Sequence, residues 1–487
     1  MTLSVKIDFN KDGDYSDTGE VVTTRVMANP GVSLRYGRDQ STAFAPLVAG
    51  TGGFTLNNAS GDYNPLNASS PIFGNIKPAR PVQIIRTISA VDYTLFEGHT
   101  DDTPLNPQLD TKTVDVTLVD YLADFRGFTL STAVYTGKTT GQAIGLILDE
   151  VGWAGSRDLD DGSSVLPYWW EEGTDALQAL ERVLQCEGAP ALLTVDAGPT
   201  IVFRDRQHRL LNSASTTSQT TWTGSTANSE VFDLTYDDAW RNIINTGQIT
   251  VDVRQPQELQ QVWSIDTTIS LGVSEVKTFI ASASDPFINA ATPASGTDYT
   301  VLAGGVTPTI SRTSGQSTTI TLTAGGSGAT LDRLGLRAQP IQTLYTQLAS
   351  QSDSSSITAY GPRSYPNDAV FANIYDAQAI LDTAVQMRSA PLPIVTGKLS
   401  VGQNTTRAVS VLARNLSDRV TLTMSGMSLN ADFFCESFQH DFANELQHDV
   451  TVGMEKVPPD DATTASNIFI LGSAVSGHRL GTGKLAL

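Results

Sequence analysis

The chain has 487 residues, more than one hydrophobic core usually serves, so about three or four domains are expected. Hydrophobic residues make up 40% and charged residues only 17%, with Gly, Ser and Thr abundant, a balance that favours β-rich architecture over helical bundles. The formal net charge of −20 repels phosphate backbones and anionic lipid, which argues against a nucleic-acid reader or a membrane-surface binder. Cys186 and Cys435 lie far apart in apolar segments, outside any CxxC pair, so two buried free thiols are expected rather than a disulfide or a structural zinc. The N-terminus carries no basic region followed by an apolar run and no stretch has the length to span a bilayer; folding in a cytosol is expected.

The first motif is "KIDFNKDGDYSDTGE" from Lys6. Asp8, Asn10, Asp12, Asp14 and Ser16 fall at alternate positions with Gly13 at the sharp turn, the spacing of a calcium loop. Gly19 stands where the bidentate glutamate belongs, Glu20 comes one residue late, and the flanks "LSVKI" and "EVVTTRVM" alternate like strands rather than EF-hand helices. Two readings stay open: a Ca2+ site, or a tight turn stabilised by Asn, Asp and Gly. "GGFTLNN", "RPVQIIRTI", "YTLFEGHT" and "KTVDVTLVDYL" then read as strands, with a long turn-rich connection, "NASGDYNPLNASSPIFGNIKPARP", between the first two. Residues 1–133 form the first domain.

After "YTGKTT" the period turns helical. Ala143, Ile144, Ile147, Leu148 and Val151 mark one helix. Leu177, Leu180, Val183 and Leu184 mark a second, with Thr174 as its N-cap and Gly188 and Pro190 ending it. "ALLTVDAGPTIVFRDR" reads as a hairpin turning at Asp196-Ala197-Gly198, which makes 134–210 a small α/β domain. A Ser/Thr-rich connector leads to the strand candidate "RNIINTGQITVDVR". Residues 255–339, poor in charge and rich in Thr, Ser, Gly and Ala, suit an inserted β-sandwich-like domain. A long helix is predicted next, capped by Asn367 or Asp368, with Phe371, Ile374, Gln378, Leu381 and Val385 along one side and Pro391 as its stop. Strands return in "VTGKLSV", "DRVTLTMSGM" and "ADFFCESFQHDF", so 211–254 and 340–457 form a further domain. The extension 458–487 carries no clear pattern.

Chemistry is sparse. His99, His208, His440, His448 and His478 form no HxH or HExxH pair, and GxSxG, P-loop and GxGxxG signatures are missing. "YWWEEGTD" sets Trp169 and Trp170 before Glu171 and Glu172, a composition that can build a sugar subsite. It equally describes a packing Trp pair with acids placed before a helix start. His99 with Asp101 and Asp102 in "GHTDD" falls in a turn. No catalytic constellation rises above background.

Several segments together resemble a known family. "IDFNKDGDYSD", the pair Gly37-Arg38, the run "LNNASGDYNPLNASSPIFGNIKPARPVQI" and the strand Leu95-Phe96-Glu97-Gly98 resemble the N-terminal domain of minor tail proteins of long-tailed (siphovirus) phages infecting actinobacteria. The rest resembles the wider tail-hub family, related to the baseplate hubs of contractile phages. The matching segments are "LQALERVLQCEGAPALLTVDAGPTIVFRDR", "NIINTGQITV", Ser356 with Tyr360-Gly361 and Arg363, "LARNLSDRVTL" and "CESFQHDF".

The resemblance implies a mainly β fold with α+β elements: two β-barrel-like domains, a small α/β domain and an inserted β-sandwich-like domain. It also implies a role: a structural virion protein at the tail tip, a homotrimer whose six barrels join a six-fold tail tube to a three-fold tip or fibre. DNA would traverse its channel without specific binding. The implied partners are the distal tail protein, the tape measure protein and fibre proteins, with assembly in the host cytoplasm, no membrane insertion and no catalysis. A hexameric distal tail protein or a peripheral receptor-binding tip protein is the alternative, and an envelope-glycan hydrolase the enzyme alternative.

Overall fold

The computed structural model describes residues 1–38, 40, 44, 49–101, 105, 107–108, 110–196, 198–225, 229–444 and 446–458, together with the backbone of Ile468–Phe469 and Lys484–Leu485. Among the described residues strands hold 48% and helices 18%, the mainly β architecture expected. The strands arise where apolar side chains alternate. Along Pro81–Ile88, for instance, every second residue is buried, so Val82, Ile84 and Ile88 point into a core.

Two barrel-like units share one sheet. In the first, Thr2–Ile7, Pro81–Ile88, Val91–Thr100, Thr113–Val119, Thr51–Asn57 and Val32–Gly37 are neighbours in that order. Residues 20–27 close it, because Val22 N donates to Val5 O at 3.0 Å and Met27 N to Thr55 O at 2.8 Å. The expected second strand "EVVTTRVM" is this strap, with a 3-10 turn at Thr23–Arg25. In the second unit, Arg419–Met424, Leu429–Asn444, Gln447–Lys456, Ile394–Ser400 and Val231–Asp237 pair in sequence around Trp222, Phe433, Phe438 and Met454.

The seam is the long strand Leu429–Asn444. Arg419–Met424 runs along its residues 429–434, and Val32–Gly37 takes over along 437–442. Both ends of Val32–Gly37 are glycines in left-handed conformations, Gly31 at φ +85° and Gly37 at φ +107°. A Cβ at either would overlap a carbonyl oxygen of the partner strand, Phe442 O or Glu436 O, so only glycine lets the two sheets approach there.

The small domain packs helices Thr140–Glu150 and Ala176–Glu187 on the hairpin Leu192–Val195 and Thr200–Arg204, whose turn residue Ala197 lies outside the described residues. The second helix is capped by Asp175, not Thr174: the carboxylate accepts from Leu177 N and Gln178 N, while Thr174 pairs with Leu130 in a short strand. That strand pair also crosses the boundary expected at 133. The long helix runs Ile374–Arg388 from an Asn373 cap, later than Asn367 or Asp368 allows, because Ala369 sits at φ +39° and Phe371 and Ala372 turn into the core of the small domain. Gln378 bonds Ser350 O and Asp382 instead of joining the apolar stripe. A helix at Thr405–Leu412, capped by Asn404, was not foreseen.

The inserted domain stands on a ribbon. Thr246–Pro256, expected among the strands of the second barrel, pairs instead with Leu334–Ser352 in a five-stranded sheet. The sheet continues into the insert, where it shares a core including Ile320, Leu322 and Leu331 with a separate four-stranded sheet that contains Val301–Arg312, Ser317–Leu331 and Val276–Ser282.

Candidate functional site

The two barrels and the small domain meet at the fork in the shared strand. Neither Arg419–Met424 nor Val32–Gly37 reaches positions 435 and 436, so the backbone groups on that edge need other partners. Ser417 N donates to Cys435 O at 2.8 Å, Cys435 N to Asp418 O at 2.9 Å, and Arg38 N to Glu436 O at 2.7 Å. The Glu436 side chain turns inward and is 1% exposed. Arg209 Nη2 donates to one carboxylate oxygen, and Arg38 Nε lies 3.8 Å from the other.

Each arginine brings a further unit with it. Arg38 Nη2 donates to Pro190 O at 2.8 Å and Ala191 O at 2.7 Å in the small domain. Arg209 Nε donates to Ser417 Oγ at 3.2 Å, and its guanidinium covers the Phe434 ring at 4.6 Å. Burial pushes the Glu436 carboxyl up, but Arg209 and Arg38 outweigh it and hold it below its ordinary value. Burial pulls Arg38 down from its own. One carboxylate thus fixes the first barrel, the second barrel and the small domain in register. A second buried pair, Arg388 with Glu455, ties the end of the long helix to the second barrel.

A polar latch holds the base of the insert. Asn245, fully buried, donates through Nδ2 to Ser356 Oγ at 3.0 Å and Gly361 O at 2.8 Å, while Arg363 N donates to its Oδ1 at 2.7 Å. The segments "NIINTGQITV" and "SSITAYGPR", more than a hundred residues apart in sequence, meet here.

The acidic loop is a set of self-capped turns. Asp8, 1% exposed, accepts from Lys11 N and Gly13 N. Asn10 accepts from Asp12 N, Asp12 from Asp14 N, and Asp14 from Ser16 N, whose bond draws the Asp14 carboxyl below its ordinary value. Glu20 turns back to accept from Phe9 N and Asp17 N. Among the described residues no three His, Cys, Asp or Glu side chains converge in a way that would hold a metal.

The remaining sequence candidates separate. Trp169 is buried and stacks on Tyr135 at 5.5 Å, whereas Trp170 faces a cleft and meets Phe371 edge-on at 5.5 Å. Glu171 is fully buried and bonded to Arg182 at 2.8 Å; Glu172 is exposed. His99 pairs with Asp124 at 2.6 Å, and Asp102 lies outside the described residues. Both cysteines are buried free thiols, each pushed up by burial. Two groups escaped the sequence: the Arg38–Glu436–Arg209 set, of which Arg38 and Glu436 stood in separate flagged segments and Arg209 in none, and a buried contact between His440 Nδ1 and His448 Nε2 at 3.1 Å. Alternation could have found the latter, since both histidines occupy inward positions of neighbouring strands.

No family model and no curated protein matches the sequence. Solved structures do. The 43 kDa tail protein of prophage MuSo2 from Shewanella oneidensis aligns at 13% identity and a TM-score of 0.51, covering 94% of this chain and 99% of that one. The tail protein from Neisseria meningitidis MC58 aligns at 9% identity and a TM-score of 0.52, covering 93% and 97%. At such identities the likeness is one of fold, and it extends over nearly the whole of each chain.

Proposed function

We propose that this chain is a structural hub of a phage tail tip, of the kind found in long-tailed phages of actinobacteria. The observation that carries the reading is the pair of barrel-like units fused along one strand at Glu436. A rigid side-by-side pair lets three chains present six near-equivalent units, which matches a six-fold tube on one side and a three-fold tip or fibre on the other. The fold likeness to two tail proteins supports it. The net charge of −20 suits a bore that DNA passes without sticking.

The connection 57–81 acts as an inter-subunit clasp with the distal tail protein, the tape measure protein or a second copy. Successive N–H groups at 61, 64, 67, 70 and 73 each bond the carbonyl three residues back, which stiffens the loop, while Leu66 stays 86% and Phe73 50% exposed. The chain's output is geometry, with bond-breaking left to other proteins. Native mass measurement of the purified chain tests this: a species of about 156 kDa, three times the 51.9 kDa chain, is expected. A stable monomer overturns the hub, and a hexamer would replace it with a distal tail ring.

A further inference from the structure

The groove beneath the insert has a chemistry that the hub role does not use. Two clefts, each of about 360 Å³, lie side by side and share Asp252, Arg254 and Phe371. Each falls within the roughly 300–1,000 Å³ usual for small-ligand sites. Trp170 and Phe371 wall the first, and Tyr168, Tyr345 and Tyr375 the second. Two of these rings stand open, Tyr375 at 84% and Tyr345 at 54% exposure.

The polar groups come in balanced pairs. Arg254 bonds Asp252 at 2.7 Å and Arg182 bonds Glu171 at 2.8 Å. An anion entering the groove would therefore meet guanidiniums already neutralised and would lose its own hydration without compensation. A hydroxyl is different, because it donates and accepts at once. It can donate a hydrogen bond to a carboxylate and accept one from the neighbouring guanidinium. Flat aromatic faces beside such pairs suit a ligand with apolar faces and hydroxyl edges.

The geometry points to a binding groove for a neutral oligosaccharide, running from Trp170 past Arg254 to Tyr375. This goes beyond the hub role and is independent of it, since a hub with or without sugar affinity would assemble alike. The groove binds without cleaving, as Glu171 is buried and held by Arg182.

Calorimetric titration of the purified full-length assembly tests it. The probes are neutral hexasaccharides of glucose (α- and β-linked), galactose, mannose, arabinose and N-acetylglucosamine, against oligogalacturonate, inorganic phosphate and an uncharged decapeptide. At least one neutral hexasaccharide is expected to bind with one site per chain. Tyr375→Ala and Tyr345→Ala should each weaken it about tenfold without changing the melting temperature, and Tyr375→Phe should retain it. The proposal is overturned if no neutral sugar binds at millimolar concentration. It also falls if affinity is indifferent to both alanine variants, or if only the acidic sugar, phosphate or peptide occupies the groove.

Discussion

His440 and His448 give the fold a pH dependence whose size and sign follow from their surroundings. They lie on the neighbouring strands Leu429–Asn444 and Gln447–Lys456, close to the seam between the barrels. Tyr36 stacks on His440 at 5.9 Å and Phe442 on His448 at 3.7 Å, and Arg86 stands over the Phe442 ring at 5.8 Å. Burial pulls His440 down to about 4, against a slight upward pull from Asp441. Burial, the neighbouring His440 and Arg86 pull His448 lower still. Both rings are neutral when folded, whereas an unfolded imidazole titrates near 6.5.

The unfolded chain thus binds more protons as pH falls through that value, and stability is lost on the acid side. Between about pH 7 and about pH 5, each histidine withdraws about 2 kcal/mol, hence about 4 kcal/mol for the pair. A carboxyl raised by burial acts in the opposite sense: Asp120 is pushed up to about 7, so the whole-chain profile is mixed. The difference between wild type and the His440→Gln/His448→Gln double variant isolates the pair. Urea unfolding at the two pH values should show wild type losing about 4 kcal/mol more than the double variant. Parallel pH dependences would refute the reasoning.

Other outcomes follow from the seam, the loop and the latch. Glu436→Gln leaves Arg209 and Arg38 buried without their anion and should cost about 3–5 kcal/mol in urea unfolding, with strong non-additivity in a cycle with Arg209→Met. Gly37→Ala forces a Cβ onto the Glu436 carbonyl at positive φ and should lower stability by about 2 kcal/mol or more; an unchanged melting temperature would contradict the seam geometry. Asp8→Ala removes two charge-assisted bonds to backbone N–H and should cost about 3 kcal/mol, while added calcium leaves the wild-type melting temperature unchanged. A calcium-dependent rise that Asp12→Ala abolishes would make the loop an ion site instead. Asn245→Ala should cost about 3 kcal/mol and speed proteolysis at the base of the insert first.

Much of the secondary structure was legible because the local patterns were strong. Alternation marked strands such as Pro81–Ile88 and Thr113–Val119, and helical spacing marked Thr140–Glu150 and Ala176–Glu187. Boundaries slipped where tertiary contacts outbid local preference, as when Phe371 left the long helix for the core beside Trp170. Strand partnership was not legible. Nothing local in "NIINTGQITVDVR" says that it pairs with a strand about ninety residues on, since that register is set by the fold of the insert between them. The fork at Glu436 was hidden for the same reason: Arg38, Arg209 and Glu436 are ordinary surface residue types until the topology buries them together. The groove was half visible, as Trp170 and Glu172 stood in a motif read for chemistry, whereas Arg254 stood only in a strand candidate and Tyr345 in none.

The most direct test of the hub is a density map of the intact tail end with this chain located in it. The account predicts three copies around the bore, each contributing two barrels joined at the Glu436 fork, so that six similar units face the tube. Six copies in the ring, or a chain lying off the tail axis with no contact to the bore, would contradict it.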